Sequence, residues 1–171
     1  MRIHARLVLA TLLTVAVSAG LAVVAASPAA PATWAPKKVT SFDPGTDLDQ
    51  FESRILLRVN RIRARHDLPR VRVFHSCVDR YSERWSQHLR QTGQLVHRDL
   101  DAVLGGCDLN WVGENLVSGT GLRPVVAVQA WMDSPPHREV LLKSRARWAG
   151  VGVRVGRDGR TYAVLNFGDR T

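Results

Sequence analysis

Two imidazoles and one carboxylate stand where a chain can hold a side chain rigidly without sinking it into a helix stripe. His97 follows Gln94-Leu95-Val96, just past a helix stop at Gly93; Glu114 sits in Gly113-Glu114-Asn115; His137 comes after Pro135-Pro136 at an enforced helix start. Two histidines and a carboxylate are the ligand set of an open zinc site, which keeps one coordination position for water or substrate. The spacing is loose, with none of the compactness of an HExxH helix. Each residue also has a purely structural reading: His97 as a loop cap, Glu114 bonded to the amides of its own glycine-rich turn, His137 as a first-turn residue. Ser134 before two prolines is what a helix N-cap requires, and as a nucleophile it would need a base and a third orienting group that the sequence does not identify. His66, His75 and His88 lie in or beside helices among charged neighbours and read as ordinary surface or partly buried imidazoles.

The elements that must position these groups follow from periodicity. A first helix begins near Thr46, which with Asp49 forms a capping box. Phe51, Ile55, Val59 and Ile62 recur on one face, the arginines lie opposite, and Leu68-Pro69 ends the element. Val71 and Val73 make a short extended link. Ser76 is the expected N-cap of a second helix, with Asp79 three residues on, a buried stripe of Cys77, Tyr81, Trp85 and Leu89, and a stop at Gly93. From Gln94 to Gly121 the chain is rich in Gly, Asp and Asn and reads as a loop holding one short strand at Asn115 to Val117. A third helix opens at Leu122 or Arg123 with Pro124 in its first turn and runs through Trp131; Ser134-Pro135-Pro136 ends it and starts a short fourth helix reaching Leu142.

Ala149 to Val155 and Tyr162 to Phe167 form a hairpin turned by Asp158-Gly159. Ala163, Leu165 and Phe167 share one strand face while Tyr162 and Val164 share the other, so both faces are apolar. Gly150 and Gly152 lie together on one face, beneath the cleft, where missing side chains let other groups approach the backbone. A sheet apolar on both sides needs a layer above and below, and only helices remain to supply them. The expected fold is a three-layer α/β/α sandwich with a small, mainly antiparallel central sheet.

The compartment is read from the first residues. Arg2, His4 and Arg6 precede an uncharged run from Leu7 to Ala26, the pattern of a secretory signal, with small residues that place the cut after Ala26 or after Ala32. The run is also long enough to span a bilayer as an uncleaved anchor. Residues 27–45 are Pro- and Ala-rich and read as a tether, leaving residues 46–171 as one domain. The formal charge of +9 falls to +7 when Arg2 and Arg6 leave with the signal. Arg54, Arg58, Arg61, Arg63, Arg65, Arg70 and Arg72 concentrate it, but no interleaved aromatic residues suit stacking on bases, so nucleic acid is not the expected partner. An anionic cell envelope, or a merely solvated helix face, fits better. Cys77 and Cys107 are the only cysteines. In an oxidising compartment they read as one bridge, worth about 3 to 4 kcal/mol in the chain-entropy model; two metal thiolates are the weaker reading, since neither belongs to a CxxC pair.

Taken in order, six segments resemble the CAP superfamily of cysteine-rich secretory, antigen 5 and class one pathogenesis-related proteins. They are Asn60-x-x-Arg63, His97, Gly113-Glu114-Asn115-Leu116, Ala130-Trp131-Met132-Asp133-Ser134-Pro135-Pro136-His137-Arg138, Gly150-Val151-Gly152-Val153 and Asn166-Phe167-Gly168. The likeness is to the bacterial secreted branch and spans about residues 50 to 168. It implies an α/β/α sandwich and a central cleft of two histidines and two acidic residues, able to hold a divalent metal in some members. His97, Glu114 and His137 fall on three of those positions. The fourth, acidic in animal and plant members, is Ser134 here, which weakens metal binding unless Asp133 substitutes. One step along a helix turns a side chain by about 100°, against that substitution.

The resemblance implies a scaffold for binding lipids, glycans or proteins more often than an enzyme. The expectation is a monomeric, extracytoplasmic binding module whose cleft comprises His97, Glu114, Ser134 and His137, with zinc as the candidate metal. A different class is a metal-dependent hydrolase in which Glu114 activates a water held by the two histidines. A third is a structural envelope protein held by its basic face and tether.

Overall fold

The structure is a computed structural model that describes residues 48–72 and 75–170. The expected signal, tether, Thr46 and Val73 lie outside the described residues. The elements are α1 (Leu48–Arg65), α2 (Ser76–Thr92), α3 (Asp101–Cys107), β1 (Trp111–Thr120), α4 (Pro124–Asp133), α5 (Pro135–Leu141), β2 (Trp148–Val155) and β3 (Arg160–Asp169). The sheet order is β1-β3-β2, antiparallel throughout, with a single parallel bridge from Arg72 to Trp148 beside it. Among the described residues no helix is long and apolar enough to cross a membrane.

Burial on both strand faces produces the three layers. On one side Val151, Val153, Ala163, Leu165 and Phe167 pack with Phe51, Ile55 and Val59 of α1, Val128 and Trp131 of α4 and Leu141 of α5. On the other, Tyr162 and Val164 meet Leu89 of α2, while Val78 of α2 clusters with Val103 and Cys107 of α3. Each such side chain contributes roughly 1.5–3 kcal/mol by leaving water. The glycines set the spacing of α2, because a Cβ on Gly150 would lie 2.4 Å from the Asp79 backbone and one on Gly152 would lie 2.3 Å from the Ser82 carbonyl oxygen. They admit the backbone of a helix, not the floor of a cleft as expected.

That contact also corrects the expected face of α2. Its buried residues are Val78, Ser82, Ser86 and Leu89, whereas Cys77, Tyr81 and Trp85 are only half-buried. Two glycines in β2 draw the small serines inward and push the aromatic residues to the flank. Ser76 is the first helical residue rather than the cap; His75 holds the cap position without a side-chain hydrogen bond. The segment expected as a loop with a three-residue strand contains α3 and a ten-residue β1 paired along the whole of β3, from Trp111 opposite Asp169 to Thr120 opposite Arg160.

Arg63 is not among the solvent-facing arginines. It is fully buried and donates to four carbonyls: Pro69 (2.9 Å), Leu141 (2.8 Å), Lys143 (2.9 Å) and Ala146 (3.4 Å). Asn60 exchanges two bonds with the Val71 backbone, at 3.2 and 2.9 Å. The Asn60-x-x-Arg63 motif thus ties α1 to the link and to the turn before β2. Cys77 and Cys107 are bridged, their Cα atoms 5.7 Å apart, which pins α3 to the start of α2.

Candidate functional site

The sheet brings His97 and Glu114 together. Glu114 faces the α2 side of β1, opposite Asn166 of β3, and its side chain is 1% exposed. His97 Nδ1 lies 3.0 Å from Glu114 Oε1, while the ring remains half in solvent at 54% exposure. In the tautomer that donates from Nδ1 to the carboxylate, the other ring nitrogen is left for a ligand or water.

His137 comes from the opposite layer, on α5, where its carbonyl accepts from Asn115 Nδ2 at 3.0 Å. Asn115 neighbours Glu114 on β1, so the edge strand carries one contact to each histidine-bearing segment. Burial, and then His97, push the His137 imidazole below its ordinary value. No described side-chain contact joins that ring to His97 or Glu114, so the structure brings together His97 and Glu114 but not His137. Ser134 caps α5 by position, without a side-chain hydrogen bond, one helical turn before His137. Asp133 is exposed and accepts from Gln129 of its own helix at 2.8 Å. No described contact joins Asp133 to His97, Glu114 or His137.

Arg98 completes the site, and nothing in the sequence marked it. Its Nε is 3.1 Å from Glu114 Oε2 and its side chain is 8% exposed. Nη1 donates to the Tyr81 carbonyl at 2.9 Å, and the guanidinium lies over the rings of Tyr81 and Trp85, 5.5 and 5.6 Å from their centroids. The Asn166 amide fits this network with its nitrogen 3.2 Å from Glu114 Oε2 and its oxygen 2.7 Å from Arg98 Nη2 and 2.8 Å from Ser82 Oγ. Burial pushes the guanidinium below its ordinary value, and the Glu114 charge opposes that shift.

These contacts bear on whether the residues fit a metal. Both Glu114 oxygens are engaged, one by an imidazole and one by a guanidinium, and among the described residues no three His, Cys, Asp or Glu side chains gather as a ligand set. A divalent ion bound by Glu114 would bring positive charge against Arg98. As arranged, the side chains do not fit a resident metal.

A three-stranded antiparallel sheet between helical layers, with an imidazole and a buried ion pair on β1, defines an α/β/α sandwich. The chain matches the Cysteine-rich secretory protein family, CAP, over residues 56–167. It belongs to that family. The fold is similar to an outer surface protein of Borrelia burgdorferi, with a TM-score of 0.65 at 19% identity, covering 76% of this chain and 97% of the other. An extracellular SCP-domain protein of Bacillus anthracis gives 0.60 at 23% identity over 75% of this chain, and a cysteine-rich secretory protein of Staphylococcus aureus gives 0.57 at 18% over 75%. This chain spans 44% and 41% of those two chains. No curated protein matches it closely enough to count as a relative.

Proposed function

We propose that the chain is an exported binding module whose cleft, formed by His97, Glu114 and His137 with Ser134 on the flanking turn, takes its ligand without a resident metal. The observation that carries this reading is the pairing of both Glu114 oxygens. A carboxylate held by Arg98 and His97 is an anchor that orients the imidazole, not a free base positioned to draw a proton from water. The exposed ring of His97 and the adjacent Leu95 and Val96, 45% and 44% exposed, offer a polar contact beside an apolar one, suited to a lipid or glycan of the cell envelope or to a protein surface. Export is supported by the charged start and apolar run of residues 1–26, by the Cys77–Cys107 bridge, and by relatives described as extracellular or outer-surface proteins.

The test is hydrolysis of a panel of chromogenic esters and glycosides by the exported protein, with and without added zinc, beside Glu114→Gln. The binding reading predicts no zinc-dependent turnover in either protein. Zinc-dependent turnover that disappears in Glu114→Gln would establish a metal hydrolase instead.

A further inference from the structure

A second site lies away from the cleft, between the middle of α1 and the start of α4. A groove of about 440 Å³ opens there, lined by Arg54, Arg58, Arg61 and Arg123. No carboxylate lines it, and among the described residues none of the four arginines forms an ion pair. Between them stand apolar side chains turned to water: Leu57 at 51% and Val125 at 36% exposure in the groove, and Val126 at 44% beside it. Positions 54, 58 and 61 recur at helical spacing on one face of α1, so the charges form a row and not a scatter.

Exposed aliphatic groups ringed by guanidinium groups that form no ion pair among the described residues are complementary to one kind of surface in particular. An anionic bilayer presents phosphates for the arginines and, just beneath them, an acyl boundary for leucine and valine. A soluble polyanion would use the charges and leave the aliphatic groups in water. We propose that this face docks the protein onto an anionic phospholipid membrane, with Arg54, Arg58, Arg61 and Arg123 on headgroup phosphates and Leu57, Val125 and Val126 at the acyl boundary.

The test is co-sedimentation of the exported protein with vesicles of phosphatidylcholine alone and of equal parts phosphatidylcholine and phosphatidylglycerol. Each is run at about 0.1 M and about 1 M salt, over which the Debye length shrinks from about 10 to about 3 Å. The parent should prefer the anionic vesicles and lose the preference at high salt. Any binding through the apolar residues 7–26, if they are retained, persists on neutral vesicles and is subtracted. Arg58→Glu with Arg61→Glu should weaken the anionic preference by at least about tenfold. The charge-matched pair Arg90→Glu with Arg157→Glu, at a distant cavity, should leave most of it intact. Leu57→Asp should weaken it several-fold with every arginine in place. Equal binding to both vesicles by the parent, or equal loss in the two charge-reversed pairs, would overturn the proposal. Unchanged binding by Leu57→Asp would reassign the face to a soluble polyanion and overturn the membrane as its occupant.

Discussion

Glu114 and Arg98 are each nearly inaccessible, and each is the other's principal counter-charge. Truncating one partner of such a pair strands a buried charge, at a cost of about 3–5 kcal/mol, whereas replacing both with neutral groups is often close to neutral. Arg98→Ala is therefore expected to lower the unfolding free energy measured by urea denaturation by that amount, and Arg98→Met with Glu114→Gln to recover most of it. A pair of carboxyl groups behaves differently. Glu52 is buried at the β2 edge, accepts from the Val153 amide at 2.9 Å and shares a hydrogen bond with Glu83, which also pairs with Arg154. Burial above all, then the neighbouring Glu83, push Glu52 up to about 9. Its folded value lies above its unfolded one, so the folded state holds an extra proton between about 4.5 and about 9 and loses stability as pH rises through that window. Glu52→Gln, which supplies a fixed amide donor in place of the proton, should raise the thermal midpoint at pH near 8 and leave it little changed near pH 4.5.

The helices and strands show which patterns were local enough to read. The α1 stripe of Phe51, Ile55, Val59 and Ile62 and the turn at Asp158-Gly159 are set by neighbours in sequence, and both stand as expected. Only three residues of strand β1 read as strand in the sequence, because Gly113, Ser118 and Gly119 interrupt any alternation and its ladder to β3 depends on residues far along the chain. The α2 face is hidden in the sequence for a related reason: large apolar side chains usually define the buried stripe, but here the glycines of β2 bring the Asp79 and Ser82 backbone against the sheet and the small Ser82 and Ser86 are buried. The contact is steep in its consequences. Gly152→Ala places a methyl against the Ser82 carbonyl and should destabilise by about 1–3 kcal/mol or more in chemical denaturation, or prevent folding. Gly105→Ala in α3, with open space around it, should stabilise by up to about 1 kcal/mol.

At the scale of the molecule, two helical layers meet around both edges of a narrow sheet. At the β2 edge, Asp79 of α2 accepts from Val151 at 3.1 Å and Glu52 of α1 accepts from Val153, so side chains from both layers occupy amides that would otherwise invite another strand. At the β1 edge, Glu114 pairs with His97 and Asn115 donates to the His137 carbonyl of α5. His97, Glu114 and His137 were legible as candidates through the rigid segments that hold them. Arg98 was not, because a charged residue in an extended segment looks solvated until Glu114, Tyr81 and Asn166 close around it. The Cys77–Cys107 bridge closes a 30-residue separation, and replacing both cysteines by alanine should lower stability by about 3 to 4 kcal/mol while leaving the α1–α4 groove intact. The proposed binding function requires that Arg98, not a metal, balance the charge of Glu114. Zinc titration calorimetry on chelator-stripped exported protein, beside His97→Ala with His137→Ala, addresses that directly. The prediction is no stoichiometric zinc uptake by either protein and a thermal midpoint unmoved by zinc; one zinc bound per parent chain, and lost in the double variant, would contradict it.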